Sequence, residues 1–178
     1  MKHAHSRKAE FDFCWPAPPL NIVLVNPEIP PNTGNIARLC AATGTHLHLV
    51  EPLGFTLTDA QLRRAGLDYW DAIHVQVHPS WQACVDAIRP ARLCLYSTGS
   101  ARPYTQVEYR PGDTLVFGCE TRGLPDELLA AHADSVLGIP IRTDHVRSLN
   151  LSSAVAIVVY EALRQLNSRA PPPPLIGK

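Results

Sequence analysis

The sequence predicts an α/β fold, with a mostly parallel sheet and helices on both of its faces. Short apolar runs typical of buried strands alternate along the chain with segments bounded by helix caps and stop signals. Strands that alternate with helices require crossover connections, which make the strands parallel and cover both faces of the sheet. The chain has 178 residues and is 46% hydrophobic, which is sufficient for one domain with a sizeable core.

The first half of this domain is predicted to alternate three strands with three helices. Asn21 to Val25 is a short apolar run that prolines terminate, so we predict a buried strand leading into a rigid loop. Asn32 or Thr33 is placed to cap a helix that ends at Thr43, with Gly44 as its stop signal. The next expected elements are a strand at 46–50, a helix at 58–65, a strand at 73–77 and a helix that runs from its Ser80 cap to residue 88.

The second half is predicted to add three strands and two helices. The strands are expected at 92–96, 114–117 and 136–141. Pro125 is suited to the first position of a helix, and the acidic Asp126 and Glu127 suit the positive end of its dipole. The longest helix is predicted over 149–166, where apolar residues recur on one face: Leu151, Val155, Val158, Val159, Ala162 and Leu166.

Both ends of the chain are rich in proline and show neither a helical nor a strand period. We therefore expect a flexible N-terminal extension over 1–19, a single domain over 20–166 and a proline-rich tail over 167–178. The first segment lacks the apolar stretch of a secretory signal, and no apolar run approaches the roughly 18 residues of a membrane span. The expected location is cytoplasmic, with no membrane partner.

The charge balance bears on nucleic-acid binding. The 16 Lys and Arg residues balance the 16 Asp and Glu residues, whereas a protein that binds nucleic acid by bulk attraction is expected to be basic. Any RNA site is therefore expected to be a local arginine patch, since the planar guanidinium group binds phosphate at two points. A second subunit is one way to complete such a patch.

The cysteines and histidines do not predict a metal site. The five cysteines are scattered and form no Cys-x-x-Cys pair, which argues against a disulfide framework and against structural zinc. His46 and His48 would share one strand face. This spacing is compatible with a metal site or with a strand packed at the surface, and the second interpretation is favoured.

In a parallel sheet, ligands bind beyond the carboxyl ends of the strands, so a site is expected in the loops there. The sequence contains no glycine-rich dinucleotide motif, P-loop or hydrolase nucleophile elbow. The first loop, 27–35, is stiffened by prolines and opens a helix whose N-terminus favours an anion, with Asn35 and Arg38 nearby. The alternative is a rigid cap with Arg38 in a surface salt bridge.

Two later loops are also unusual. In the loop 117–125, Gly118 and Gly123 flank Glu120 and Arg122, and glycines allow a backbone to approach a planar ligand closely. In the segment 139–153, two arginines precede three serines and Asn150, more polar groups than a helix cap requires. A plain strand-to-helix turn and a simple cap are the alternatives.

At these residues the chain resembles a known family. The residues that match the three ordered motifs of SPOUT methyltransferases are Asn32-Thr33-Gly34-Asn35 with Arg38, then Phe117-Gly118-x-Glu120-Thr121-Arg122-Gly123-Leu124, then Ile139-Pro140-Ile141 with Arg147-Ser148-Leu149-Asn150-Leu151-Ser152. Two further matches, Glu28 to Gly34 and Leu62 to Tyr69, resemble the TrmL/YibK-type subgroup that 2′-O-methylates the wobble cytidine or uridine of tRNA. The resemblance spans about residues 20–166. Cys119 departs from it, since proline is common at that position.

The resemblance implies a fold with a C-terminal trefoil knot, a homodimer, S-adenosyl-L-methionine as methyl donor and tRNA as substrate. It places the cofactor contacts, several of them through the backbone, at Tyr96, Gly118, Ile139, Ser148 and Leu149. Glu120 is assigned to the same site and is expected, with Arg122, to order the cofactor loop or the dimer. Metal is not part of the expected chemistry.

The resemblance also assigns catalytic and RNA-binding residues. Arg38 is expected to stabilise the developing alkoxide and to clamp the adjacent phosphate, because an arginine with a pKa above ~12 is a poor proton acceptor. Asn150 is expected to orient the knot or substrate, and Tyr160 to reach the active site or an interface. The candidate RNA contacts are Asn35, Arg63, Arg64, Arg142 and Arg147. A SPOUT enzyme that acts at another RNA site or on a base nitrogen, and a non-catalytic RNA-binding module, are the alternatives.

Overall fold

A computed structural model describes residues 12–56, 73–142 and 144–168 and has the predicted α/β architecture. Its strands are β1 (Asn21–Val25), β2 (His46–Val50), β3 (Val75–His78), β4 (Leu93–Tyr96), β5 (Thr114–Phe117) and β6 (Val136–Leu137). They form one sheet in the order β3-β2-β1-β5-β4-β6, and every neighbouring pair is parallel. The knot implied by the resemblance stays a prediction.

Four α-helices connect or follow these strands in the described ranges: α1 (Pro30–Thr43), α2 (Trp81–Ile88), α3 (Asp126–Ala131) and α4 (Leu151–Ser168). Gly44 ends α1 with a φ of +67°, and Ser80 caps α2 by accepting a hydrogen bond from the Ala83 N–H at 3.1 Å, both as predicted. The helix expected at 58–65 lies outside the described residues.

The prediction for the start of α1 was wrong. Asn32 and Thr33 lie inside its first turn and do not cap it, because Pro30 and Pro31 already adopt the fixed φ of a helix start. The residue at the cap position, Ile29, has no side chain that can accept a hydrogen bond. Pro30 and Pro31 have no N–H, and the N–H groups of Asn32 and Thr33 donate to the Ile29 carbonyl at 3.0 and 3.3 Å. The N–H groups that need an acceptor from elsewhere in the chain are therefore those just ahead of the helix.

The last strand is also shorter than predicted. It ends at Leu137, because the next residue, Gly138, leaves β4 and pairs with the segment around Pro103. The Gly138 N–H donates to the Arg102 carbonyl at 2.8 Å, and the Tyr104 N–H donates to the Gly138 carbonyl at 2.9 Å. Downstream, α4 begins at Leu151, two residues later than expected, because Asn150 takes the cap position.

The core forms a layer on each face of the sheet, as the alternation along β1 shows. Ile22 and Leu24 pack in a cluster with residues of α1 and α4, whereas Val23 and Val25 pack in a second cluster with residues of α2 and α3. The apolar stripe predicted for the longest helix is thereby explained. No helix of the described residues is long and apolar enough to cross a membrane.

The described part of the N-terminal extension, 12–19, contacts the domain. Phe13 packs against the core cluster of α1 and α4, and the Cys14 N–H donates to Asn167 Oδ1 at 3.2 Å. Pro18 lies against Gly112, where an added Cβ would be 3.0 Å from the proline ring. These residues therefore make specific contacts with the domain, and the flexibility of the extension stays a prediction.

The edge of the sheet holds a buried histidine pair that the sequence indicated only in part. His48 Nδ1 lies 3.1 Å from His78 Nε2, and His48 Nε2 lies 3.3 Å from Asn21 Oδ1. The rings of His46 and His74 contact each other at a tilt of 41°, with centroids 4.4 Å apart. Within the described ranges, no group of three or more His, Cys, Asp or Glu residues is arranged to hold a metal ion.

We expect this histidine pair to make folding stability depend on pH. Burial, followed by the proximity of His78, lowers the pKa of His48 to about 3, and burial also lowers the pKa of His78. In the unfolded chain these histidines bind protons near their ordinary pKa of ~6.5, whereas in the folded chain they stay neutral at that pH. The folded state therefore has its full stability above pH 6.5 and loses stability as the pH drops below that value. His48 alone should cost about 1.4 kcal/mol per pH unit well below pH 6.5.

Urea unfolding at several pH values between 7.5 and 5 measures this effect. The His48→Gln variant keeps a polar side chain that does not titrate, so its stability should fall less steeply with decreasing pH. Equal slopes for the two proteins would contradict the assignment to His48.

Candidate active site

The loops after β1 and β5 meet at the carboxyl edge of the sheet, because β1 and β5 are neighbouring strands. The Glu120 carboxylate extends from the second loop across the start of α1. It accepts hydrogen bonds from the Glu28 N–H at 2.8 Å and from the Ile29 N–H at 3.2 Å. Glu120, from a distant part of the same chain, thus supplies the negative charge and the acceptors that a helix N-terminus favours. The sequence predicted that the N-terminus of this helix favours an anion, and in the structure the Glu120 carboxylate lies there.

Asn32 links this carboxylate to the third loop. Its Nδ2 donates to Glu120 Oε1 at 2.9 Å, while its Oδ1 accepts from Asn150 Nδ2 at 2.8 Å. The opposite ends of the amide have different partners, which fixes its orientation. Asn32 is 5% exposed, and its buried amide is satisfied only when all three loops are in place.

Asn150 completes the link as the cap of α4. Its Oδ1 accepts from the Ser152 N–H at 2.9 Å and from the Ser152 hydroxyl at 2.7 Å. The same side chain therefore both starts the last helix and contacts α1. The sequence offered Asn32 as a possible cap and as part of the first motif, without naming its partners. The position of Asn32 directly after two prolines was the signal in the sequence that it lies inside the helix and that its side chain bonds to other segments.

Arg38 and Asn35 project from the exposed side of α1. They are three positions apart, so they are neighbours on the helix surface. An exposed guanidinium group beside an amide can hold a phosphate or a developing negative charge. The structure thus places both residues on the helix whose start Glu120, Asn32 and Asn150 hold.

The loops after β4 and β6, and the turn after β5, pack backbone against backbone. A Cβ added at Gly138 would lie 2.4 Å from the Ser100 carbonyl oxygen, and one added at Gly118 would lie 1.9 Å from the Gly123 carbonyl carbon. No side chain fits at either contact. Glycine keeps these loops free of side chains, and a backbone without side chains can approach the planar, polar ring of a nucleoside closely. The residues present therefore fit the cofactor that the resemblance implies.

Tyr96, at the end of β4, turns its side chain into the core. Its ring stacks on Phe117, with centroids 4.6 Å apart, and its hydroxyl lies 3.0 Å from the Tyr109 hydroxyl. Tyr109 in turn donates to the Tyr104 carbonyl at 2.9 Å. Burial raises the pKa of Tyr96 well above its ordinary value, so this phenol is neutral. Any contact of Tyr96 with a ligand is left to its backbone.

The other candidate residues are dispersed around the site. Ser148, Arg147 and Leu149 are exposed in the loop before α4, and Ile139 is half-buried. Arg142 is also exposed and forms an ion pair with Asp144 at 2.9 Å. Residues 144–148 line an open depression of about 560 Å³.

Of the remaining candidates, Tyr160 is not brought together with these loops. Tyr160 is 56% exposed on α4, ten residues beyond the cap, and the exposed Ile157 lies on the same helix. Arg63 and Arg64, with the whole segment 62–69 that resembles the subgroup, lie outside the described residues.

Comparison with known proteins agrees with this geometry. The model of the SpoU rRNA Methylase family matches residues 19–160. The tRNA (cytidine(34)-2′-O)-methyltransferase of Burkholderia cenocepacia is 53% identical over 148 residues, which cover 82% of this chain and 94% of that protein.

Solved structures with the same fold include two that are informative about function. One, described as giving structural insights into the 2-OH methylation of C/U34 on tRNA, is 45% identical with a TM-score of 0.78 and covers 84% of this chain and 97% of its own. An AdoMet-bound rRNA methyltransferase from Sinorhizobium meliloti is 26% identical with a TM-score of 0.72, and the match covers 83% of this chain and 57% of that one.

Proposed function

Because the chain belongs to the SpoU rRNA Methylase family, we propose that it methylates the ribose 2′-hydroxyl of the wobble pyrimidine, cytidine or uridine, in tRNA. The observation that carries this proposal is the Glu120–Asn32–Asn150 hydrogen-bond chain, which holds the helix of Arg38 against the loops expected to bind the methyl donor. The choice of tRNA position 34 is supported by the name of the 53% identical relative.

S-adenosyl-L-methionine would supply an electrophilic methyl group that a ribose oxygen can accept. The residues that would hold it are the backbone groups that begin at Tyr96, together with Gly118, Ile139, Ser148 and Leu149. Use of this donor is supported by the AdoMet-bound family structure and by the close backbone packing at Gly118 and Gly138.

Arg38 has the central role on the substrate side. Its guanidinium group stabilises the negative charge that develops on the 2′-oxygen and clamps a neighbouring phosphate, while Asn35 contacts the same nucleotide. A phosphate oxygen or water takes the proton, since the arginine keeps its own. Positioning supplies much of the rate, because holding two reactants in line removes a large entropic cost.

A homodimer is part of the proposal. Tyr160 and Ile157 on α4 expose apolar surface that a second copy would cover. A second copy would also add its arginines to Arg142 and Arg147 and to the exposed face of α1. Such a shared patch would account for RNA binding by a chain whose charges cancel. A tRNA substrate implies the cytoplasm as the place of action.

Product analysis tests the proposal directly. The purified protein is incubated with labelled S-adenosylmethionine and unfractionated tRNA, and the digested RNA is searched for the labelled nucleoside. A 2′-O-methylated cytidine or uridine from anticodon position 34 is the expected result. The control is an anticodon stem-loop that already has a 2′-O-methyl group at that position and should accept no label.

Other products would identify the alternatives. A methylated base nitrogen, or a ribose at another RNA site, would keep the family and overturn the substrate assignment. Absence of any product from tRNA of several sources, with the donor still bound, would favour a non-catalytic RNA-binding module.

A further inference from the structure

The loop after β1 and the turn after β5 exchange hydrogen bonds in both directions. Glu120 accepts from the N–H groups of Glu28 and Ile29, as described above. In return, the Glu28 carboxylate accepts from the Thr121 hydroxyl at 2.9 Å and from the Thr121 N–H at 3.2 Å. We call this second set of bonds, between Glu28 and Thr121, the return clasp.

The return clasp is not needed to build the helix start. Glu120 alone satisfies the N–H groups ahead of α1, and Asn32 binds Glu120 without Glu28. Thr121 is exposed, so water would satisfy its N–H and hydroxyl groups if Glu28 were absent. The fold therefore does not explain why these two residues are paired.

The two sides of the clasp are supported very differently. The backbone at Glu28 packs against the loop that follows β2. The Gly54 N–H donates to the Pro27 carbonyl at 2.9 Å, and a Cβ added at Gly54 would lie 2.7 Å from Glu28 Cα. The turn with Thr121 is closed by the bond from the Gly123 N–H to the Cys119 carbonyl at 2.9 Å and by the bond from the Cys119 thiol to the Gly123 carbonyl at 3.6 Å, and its tip is exposed. Thr121 thus lies at an exposed tip, whereas Glu28 lies in a loop that a second loop supports.

This arrangement joins the two halves of the proposed site. The turn begins at Gly118, a proposed cofactor contact, and the loop of Glu28 leads into the helix of Arg38. A ligand that orders the tip of the turn would lower the entropic cost of forming the return clasp, and the formed clasp would further restrict the loop before α1. The helix of Arg38 and the loop before it would then lose less conformational entropy when they bind RNA, so the affinity for RNA would rise.

We infer that Glu28 and Thr121 are positioning residues that couple the two sites, so that binding of the methyl donor and binding of tRNA strengthen each other. This inference rests on the proposed function for the identity of the two ligands. It concerns binding alone, and it is therefore testable without turnover.

Three variants separate the return clasp from general effects. Glu28→Ala removes both bonds, and Thr121→Val removes only the hydroxyl bond while keeping the side-chain shape. Thr121→Ser keeps the hydroxyl and is the matched control. Thr121 is exposed, so its variants should fold even if Glu28→Ala lowers stability, and thermal unfolding checks this.

Hydrogen exchange measures the coupling within the protein. Adding S-adenosylhomocysteine, which cannot donate a methyl group, should slow exchange in the peptide 26–33 of the wild type and of Thr121→Ser. The slowing should be reduced in Thr121→Val and lost in Glu28→Ala. Equal protection of this peptide in all four proteins would overturn the inference, because the ligand would then order the loop without the clasp.

Binding of tRNA supplies the functional readout. Its dissociation constant should fall at least about fivefold in the presence of S-adenosylhomocysteine for the wild type and for Thr121→Ser, the lower end of usual coupling strengths. The ratio should approach one in Glu28→Ala and be intermediate in Thr121→Val. A ratio of one in the wild type, or an unchanged ratio in Glu28→Ala, would overturn the coupling.

The two proposals fail in distinguishable ways. Methylation of position 34 by a wild type whose binding ratio is one leaves the function intact and removes the coupling. Coupled binding without any methylated nucleoside keeps the coupling and removes the function. A wild type that binds no tRNA overturns both.

Discussion

An Arg38→Ala variant is expected to lose about 10²–10³-fold in kcat for methyl transfer, the usual effect of removing one donor that stabilises developing negative charge. Arg38 is exposed on α1 beside Asn35, while the contacts that order the site are made by Glu120, Asn32 and Asn150. Removing the guanidinium group should therefore leave the loops in place. Affinity for S-adenosylhomocysteine, measured by calorimetry, should change little.

The Arg38→Lys variant is the matched control. Lysine keeps the positive charge but lacks the planar pair of donors, so its rate should lie between those of the wild type and the alanine variant. A loss of cofactor affinity in Arg38→Ala with an unchanged kcat would contradict the role assigned to Arg38.

A Gly118→Ala variant is expected to abolish cofactor binding, and any residual methyl transfer should be at least ~100-fold slower, the loss of rate that misplacement of reacting groups by about 1 Å causes. The added methyl group would lie 1.9 Å from the Gly123 carbonyl carbon and 2.1 Å from the Leu124 nitrogen. These are backbone atoms and cannot rotate away. The turn that holds Glu120 and Thr121 must therefore shift, and strain of about 1–3 kcal/mol should also lower stability.

Gly123→Ala in the same turn is the control. Gly123 has a φ of +75°, which disfavours alanine, but an added Cβ has nothing within 4 Å. Stability should fall by about 1–2 kcal/mol for the left-handed conformation, with most of the cofactor affinity retained. Calorimetry with S-adenosylhomocysteine and thermal unfolding measure the two effects. Equal affinities of the two variants would show that close packing at Gly118 is not required.

Sequence patterns were reliable where a single element decides the outcome. β1, β2 and β5 have the predicted bounds, Ser80 caps its helix, and Gly44 ends α1, because burial runs and cap chemistry act over a few neighbouring residues. The matched motifs also identified the family, through residue types whose order along the chain is visible without a structure.

The errors arose where distant segments compete for the same groups. The helix expected after Asn32 starts earlier, because two prolines fix its first turn. The Asn32 side chain, which was expected to cap the helix, instead donates a hydrogen bond to Glu120, 88 residues further along. The last strand stops at Leu137 because Gly138 finds a closer partner at Pro103. Neither partner is recognisable from local pattern.

The sequence by itself determined the α/β class, most strand bounds and the three motifs, since periodicity, glycine and proline act locally. Only the tertiary structure decided what the motif residues do to one another. In the folded chain the Tyr96 side chain lies in the core, and Glu120 accepts the Ile29 N–H at the start of α1. Asn32 accepts a hydrogen bond from Asn150, 118 positions further along. Hydrogen bonds of this kind depend on distance in space, and the chain brings their partners together only when the sheet has formed.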